Sequence, residues 1–380
     1  MNDYFYDIYG CKPQIKVTAS GRINIIGEHV DYCGGPVFPA SLNLKCNVYG
    51  RANGCGKIRI ALYGIEGVKE LDLNSLESYR DAKYINYQAG VAFILKSQGY
   101  NLVGCDLYYK CDVPFGSGLS SSAAIEVATA VALNEIAKNS YSLEDMALIG
   151  QRAENEYCGM NCGIMDQFAS AIGKKDSAVL LHCDTLEYEY VPLKMDGYTM
   201  VVANSNKRHT LTDGDYNERR AEAEKATEIL KTVTPITRLA DLSVERFEEA
   251  KGVLSGKILD RATHVVNECD RVYKAVAALK RGDIATLGQL INASHESLST
   301  LYEVTGYELD CLAHIAQRQK GCLGSRMIGG GFGGCTISIV EDGEVENFIK
   351  TVGEQYEKAV GYKATFYNTS IEDGVTVEEL

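Results

Sequence analysis

The chain has 380 residues, 46% hydrophobic and 23% charged, a composition of globular enzymes with length enough for two domains and unlike that of a fibre or a disordered chain. Its 38 basic and 51 acidic side chains give a formal charge of -13, and the basic residues are scattered rather than banded, which argues against a nucleic-acid surface. Thirteen cysteines, odd in number and without a C-x-x-C pair, read as buried thiols of a reducing compartment, and the closest pair, Cys158 and Cys162, has no second ligand pair beside it for zinc.

The first 16 residues lack a basic start followed by an apolar run, and no stretch approaches roughly 18 apolar residues. The expectation is a cytoplasmic protein without membrane contact. Residues 15–18, 45–51 and 57–63 read as short strands. Between the first two lies Gly21-Arg22-Ile23-Asn24-Ile25-Ile26-Gly27-Glu28-His29-Val30-Asp31-Tyr32-Cys33-Gly34-Gly35. Arg22, Glu28, His29 and Asp31 would each pass as a surface charge. Together, between glycines, they look like a polar loop offering donors and acceptors to a hydroxylated ligand.

A helix over 84–98 and a strand over 105–111 lead to the densest segment, Pro114-Phe115-Gly116-Ser117-Gly118-Leu119-Ser120-Ser121-Ser122-Ala123-Ala124, which runs into a helix over 121–138. Gly116 and Gly118 allow a tight backbone, and the serines place N–H groups and hydroxyls at a helix start, a fit for phosphate. A Walker A loop is excluded because the turn holds no lysine, and a dinucleotide fingerprint is opposed by Ser121 in the place of its third glycine. A plain helix cap with redundant serines stays open at this point.

Ser142 with Asp145 forms a capping pattern for a helix over 142–158. Next comes Cys162-Gly163-Ile164-Met165-Asp166-Gln167-Phe168, one carboxylate in an apolar run. It reads either as a helix N-cap or as a base that takes a proton from a hydroxyl. Upstream, Glu154 with a serine hydroxyl of the phosphate loop would suit Mg²⁺, which favours a few hard oxygen ligands.

A strand over 178–183 and a boundary near 186–196 close the first half. A strand over 198–204 then precedes helices over 217–232, 244–251, 258–280 and 284–298. Gly324-Ser325-Arg326-Met327-Ile328-Gly329-Gly330-Gly331-Phe332-Gly333-Gly334-Cys335 holds six glycines in eleven positions and enters a strand over 336–340, so it reads as close backbone approach rather than a linker. A helix over 345–360, a strand over 364–368 and an acidic, solvated tail over 372–380 complete an α+β pattern.

These segments, in this order and spacing, resemble the GHMP kinases over nearly the whole chain, and within them the branch that acts on galactose. The resemblance implies a two-domain α+β fold. A domain like ribosomal protein S5 domain 2 would span 1–192, with sugar motif and phosphate loop, and a ferredoxin-like domain 193–380, with the site between. It implies ATP-dependent phosphorylation of the C1 hydroxyl of α-D-galactose. Asp166 would be the base and Arg22 the charge stabiliser. Glu28 and His29 would bind near O6, Asp31 and Tyr216 near O3 and O4, and the Gly163 backbone would assist. Gly116, Ser117, Gly118, Leu119, Ser120, Ser121, Ser122 and Ala123 would bind ATP. Ser121 or Ser122, with Glu154, would hold Mg²⁺. A monomer, or at most a weak oligomer, is the expectation. Val30 departs from the family pattern, where threonine is usual, and if that hydroxyl supports the turn or the sugar network its loss would alter affinity or sugar choice. A kinase for N-acetylgalactosamine or L-arabinose remains an alternative, as does a non-catalytic galactose sensor, although the complete 120–124 run with Arg22 and Asp166 speaks against the latter.

Overall fold

The computed structural model describes residues 2–207 and 212–380. Strands β1 (Ile15–Asn24), β3 (Pro39–Ala52), β4 (Lys57–Leu62), β5 (Ile65–Asp72), β6 (Cys105–Cys111) and β13 (Thr376–Glu379) form a six-stranded sheet in the order β13-β1-β3-β6-β4-β5. All neighbours are antiparallel except β4 and β6. β2 (Pro36–Val37), β7 (Ser177–His182) and β8 (Tyr188–Pro192) make a small second sheet. β9 (Tyr198–Asn204), β10 (Cys322–Met327), β11 (Cys335–Glu341) and β12 (Thr365–Tyr367) make a third, ordered β10-β11-β9-β12.

Helix α1 (Asn2–Tyr9) lays Phe5 and Tyr9 on Tyr49, Ala61 and Tyr108 of the first sheet. Helices α2 (Asn86–Ser97), α3 (Ser121–Ala137), α4 (Leu143–Arg152) and α5 (Met165–Ile172) form a layer, with α3 and α5 against β1 and β3. α3 is rich in Ala and Val and buried nearly all round, as its place between sheet and helices demands. α4 starts as expected, with Ser142 Oγ accepting the Asp145 N–H at 3.0 Å. It continues as a π-helical turn, Ala153–Cys158, ended by Gly159 at φ 85°.

In the second half α6 (Thr212–Leu230), α7 (Val244–Ala250), α8 (Gly256–Lys280) and α9 (Ile284–Ser297) pack together, and α9 lies on β10. α10 (Gly306–Gln317) and α11 (Val345–Val360) cover the third sheet. One apolar core crosses between the halves, joining Ile25, Val37 and Leu119 to Val265, Val272 and Met327.

Two local features position the site. β1 extends well beyond residues 15–18, and its pairing with β3 is interrupted by a bulge between Ser20 and Arg22, which re-aims the strand end. The closing segment is not a solvated tail. Ser20 Oγ and Lys45 Nζ each donate to the Asp373 carbonyl at 2.7 Å, and β13 pairs with β1 from Ile15 to Thr18. Its side chains are exposed, so composition alone suggested a tail, but the backbone supplies the edge of the first sheet.

Candidate active site

Arg22 leaves the bulge almost fully buried and joins three segments. Its Nε donates to Asp166 Oδ1 at 2.8 Å and a terminal nitrogen to Oδ2 at 2.7 Å, while the other terminal nitrogen donates to the Gly118 carbonyl. The bulge brings Arg22 here because Gly21 has no Cβ, which would lie 2.7 Å from the Leu119 carbonyl oxygen. Burial disfavours the guanidinium charge, but Asp166 and then Glu28 more than compensate and raise its pKa. Asp166 sits in the first turn of α5, inside the helix rather than at its N-cap, which is Ile164. Ser120, in a left-handed conformation at φ 61°, donates its hydroxyl to Asp166 Oδ2. That hydroxyl is spent on Asp166 and makes no cap, so the plain capping reading of the serine run does not describe Ser120.

The polar loop follows. Glu28 is buried and accepts from the Gly329 N–H at 2.6 Å, from Asn24 Nδ2, and pairs with Arg326 at 3.1 Å. Burial nonetheless pushes its pKa up, against the pull of Arg326 and Arg22. His29, with φ 61°, places Nδ1 2.9 Å from the Tyr32 hydroxyl, which lies 2.9 Å from that of Tyr302. Burial lowers its pKa to about 3, so the imidazole is neutral, packed beside the rings of Tyr302 and Tyr216. Asp31 accepts the Tyr32 N–H at 2.9 Å and the Met165 N–H at 3.5 Å, and burial, then the Asp166 charge, raise its pKa to about 6. Gly163 makes room for that carboxylate: a Cβ there would lie 2.0 Å from Asp31 Oδ2. Val30 is fully buried, against Gly35, and is not part of the cleft wall.

The phosphate loop and the late glycine-rich segment meet backbone to backbone. A Cβ on Gly118 would lie 2.9 Å from the Ile328 oxygen, one on Gly329 3.0 Å from the Gly118 oxygen, and one on Gly334 2.8 Å from the Ser117 oxygen. The segment is a contact surface, as its run into β11 suggested. Ser122, in the first turn of α3, hydrogen-bonds Glu154, which the π-helical turn carries. Gln167 Nε2 donates to Glu154 at 2.7 Å and to Glu126 at 2.9 Å, bridging two buried carboxylates. Burial and the Asp166 charge raise Glu154 to about 7, and burial with Glu154 nearby drives Glu126 well up.

Arg22, Glu28, His29, Asp31, Gly163, Asp166 and Tyr216 all line one cleft of about 300 Å³, and so do Gly116, Ser117, Gly118, Ser120, Ser121, Ser122 and Glu154. Its size falls at the low end of small-molecule sites, roughly 300–1,000 Å³. Leu119 and Ala123 are fully buried and do not line it. Sequence reading missed Arg326, Glu268, His264, Tyr302, Gln167 and Glu126. A signal existed for two of them: His264 and Glu268, four apart, put polar groups on the buried stripe of α8.

Residues 275–358 match the GHMP kinases C terminal model and 85–174 the GHMP kinases N terminal domain. Residues 3–52 match the galactokinase galactose-binding signature. A galactokinase of Clostridium acetobutylicum is 44% identical over 380 residues, covering 98% of this chain and 97% of its own. The chain belongs to the galactokinase family. A second galactokinase, from Exiguobacterium sibiricum, is 42% identical over 98% of this chain and 96% of its own. Among solved structures, Lactococcus lactis galactokinase complexed with galactose is similar at a TM-score of 0.96, with 40% identity over 99% of this chain and 98% of that one. Methanococcus jannaschii mevalonate kinase, at 17% identity and a TM-score of 0.68 over 95% and 99% of the two chains, shares the fold that galactokinases have in common with other GHMP kinases. Among the described residues no helix is long and apolar enough to cross a membrane.

Proposed function

We propose that this member of the galactokinase family transfers the γ-phosphoryl group of ATP to the C1 hydroxyl of α-D-galactose, giving galactose 1-phosphate and ADP. The observation that carries the reading is the placement of Asp166, gripped by Arg22 and Ser120 where the polar loop meets the phosphate loop. A carboxylate offers about four acceptor positions. Arg22 and Ser120 fill three of those on Asp166, whose side chain keeps 28% of its surface exposed. The remaining position is the one for a sugar hydroxyl.

In this reading Asp166 accepts the C1 hydroxyl proton as the oxygen attacks phosphorus, and Arg22 holds the Asp166 carboxylate in place. Glu28 and His29 bind near O6, and Asp31 and Tyr216 near O3 and O4. The Gly163 backbone closes the same side. Backbone N–H groups of 116–122 at the start of α3 take the phosphate oxygens. Ser122, or its neighbour Ser121, with Glu154 would hold Mg²⁺: both supply hard oxygen donors on the cleft wall, and a divalent cation would offset the buried Glu154 charge. When bound, the ion neutralises phosphate charge.

We place the boundary between the two domains after residue 192, with β13 returning to the first sheet. A cytoplasmic setting suits the thirteen free thiols.

The test is ATP-dependent ADP release on galactose, N-acetylgalactosamine and L-arabinose, with the phosphorylated position read by NMR. Galactose should give the highest kcat/KM, with phosphate at C1. A different preferred sugar, or saturable galactose binding without turnover, overturns the proposal.

A further inference from the structure

The backbone carrying Glu28 is held from the other half of the chain. Arg326, on β10, is fully buried. Its Nε donates to the Ile25 carbonyl at 2.9 Å, and one terminal nitrogen donates to the Asn24 carbonyl and lies 3.1 Å from Glu28 Oε1. Glu268, on α8, is equally buried, and its Oε1 accepts the N–H groups of Gly27 at 3.0 Å and Glu28 at 3.3 Å and the Ser294 hydroxyl at 2.7 Å. Two carbonyls and two N–H groups, within five consecutive residues at the end of β1, therefore find their partners on two opposite charges.

Buried backbone groups must be paired, and a loop leaving a sheet loses its ladder partners. Water or local side chains would satisfy them loosely. A guanidinium fork spanning two successive carbonyls fixes both direction and distance, which a point charge does not. Neither Arg326 nor Glu268 lines the cleft.

We infer that Arg326 and Glu268 are positioning residues of the sugar site, fixing the 24–28 backbone so that Glu28 and His29 meet the sugar while they themselves never touch it. The inference rests on the proposed sugar-kinase reading of the cleft.

Arg326→Lys keeps the charge and removes the fork. The expected result is a rise in galactose KM of about tenfold or more, with ATP KM within about twofold and kcat per folded molecule within about threefold, the pattern of lost ground-state positioning. Ser294→Ala removes the hydroxyl on Glu268 Oε1, the oxygen that accepts the Gly27 and Glu28 N–H groups, while Arg271 still holds Oε2 at 2.6 Å. It should raise galactose KM about threefold with ATP KM unchanged, and it decides the matter if Arg326→Lys does not fold. Parallel rises in both KM values, a fall in kcat alone, or variants within about twofold of wild type would overturn the inference, since a merely structural role moves the melting temperature without singling out the sugar. Wild-type turnover on galactose tests the activity separately. If another sugar is preferred, the same variant-to-wild-type ratios are measured on that sugar.

Discussion

Alanine at position 163 adds one methyl group where there is no space. Its Cβ would lie 2.0 Å from Asp31 Oδ2, 2.1 Å from Cγ and 2.6 Å from Oδ1, whereas real Cβ atoms stay at least 3.0 Å from such neighbours. Gly163 has no positive φ, so the backbone accepts alanine and the clash is purely steric. In a close-packed site the carboxylate has to withdraw by about 1 Å. Doing so breaks its contacts with the N–H groups of Tyr32 and Met165. A hydrogen bond from the sugar to a charged group contributes about 1.5–3 kcal/mol, which is what the displaced carboxylate would forfeit. Gly163→Ala should therefore raise galactose KM about 10- to 100-fold while ATP KM stays within about twofold. The assay is steady-state kinetics with each substrate varied in turn, alongside a melting curve to establish folding. A folded Gly163→Ala enzyme with a wild-type galactose KM refutes the reasoning. So does a fall in kcat at constant KM, because the 163–166 backbone, and with it Asp166, would then have yielded in place of Asp31.

Asp166→Asn should lower kcat by about 10²–10⁴ while galactose affinity, measured by calorimetry, changes only a few-fold; near-normal turnover removes the base assignment. Asp31 has its folded-state pKa raised to about 6 from 3.8, so its neutral form is favoured in the fold and its charge weakens stability as pH climbs from about 4 past 6. Asp31→Asn should thus melt higher than wild type at pH 8, by an amount on the order of 3 kcal/mol in stability, and match it below pH 4, while binding galactose less well. Equal melting temperatures at pH 8 contradict this. Val30→Thr should leave the preference between galactose and N-acetylgalactosamine unchanged and cost about 1–3 kcal/mol for a buried hydroxyl. A shifted sugar preference would place Val30 in the site after all.

β6, β9 and α11 lie where their sequence patterns put them: the two strands are short runs with aromatic or β-branched residues, and α11 carries its buried Phe348, Val352 and Tyr356 at helical spacing. β1 and β3 reach further than their apolar stretches. Their extensions hold Gly21, Arg22 and Asn43, which read as loop: Gly21 sits in the bulge, Arg22 pairs with Ser41, and the Asn43 N–H donates to the Ser370 carbonyl at 3.0 Å outside the ladder. β10 escaped because Gly324, Ser325 and Arg326 have little strand propensity, and the last two are buried for the sake of distant partners. The cleft residues were legible because each motif gathers several of them within a few positions. The partners of that cleft were not. Arg326 and Glu268 reach residues 24–28 from some 240 to 300 positions away, and no local pattern records a contact of that range.

The glycine contacts at Gly118, Gly329 and Gly334 have a dynamic consequence. Packed elements slide past one another by letting side chains exchange rotamers across the plane between them. Here main chain lies on main chain, and no such cushion exists between the 116–122 turn and the glycine-rich segment facing it. The two halves are joined at this point more like a weld than a bearing. Passage of substrates and products then falls to side chains at the mouth of the cleft, among them Phe115, exposed over 71% of its surface, rather than to a rocking of one half on the other.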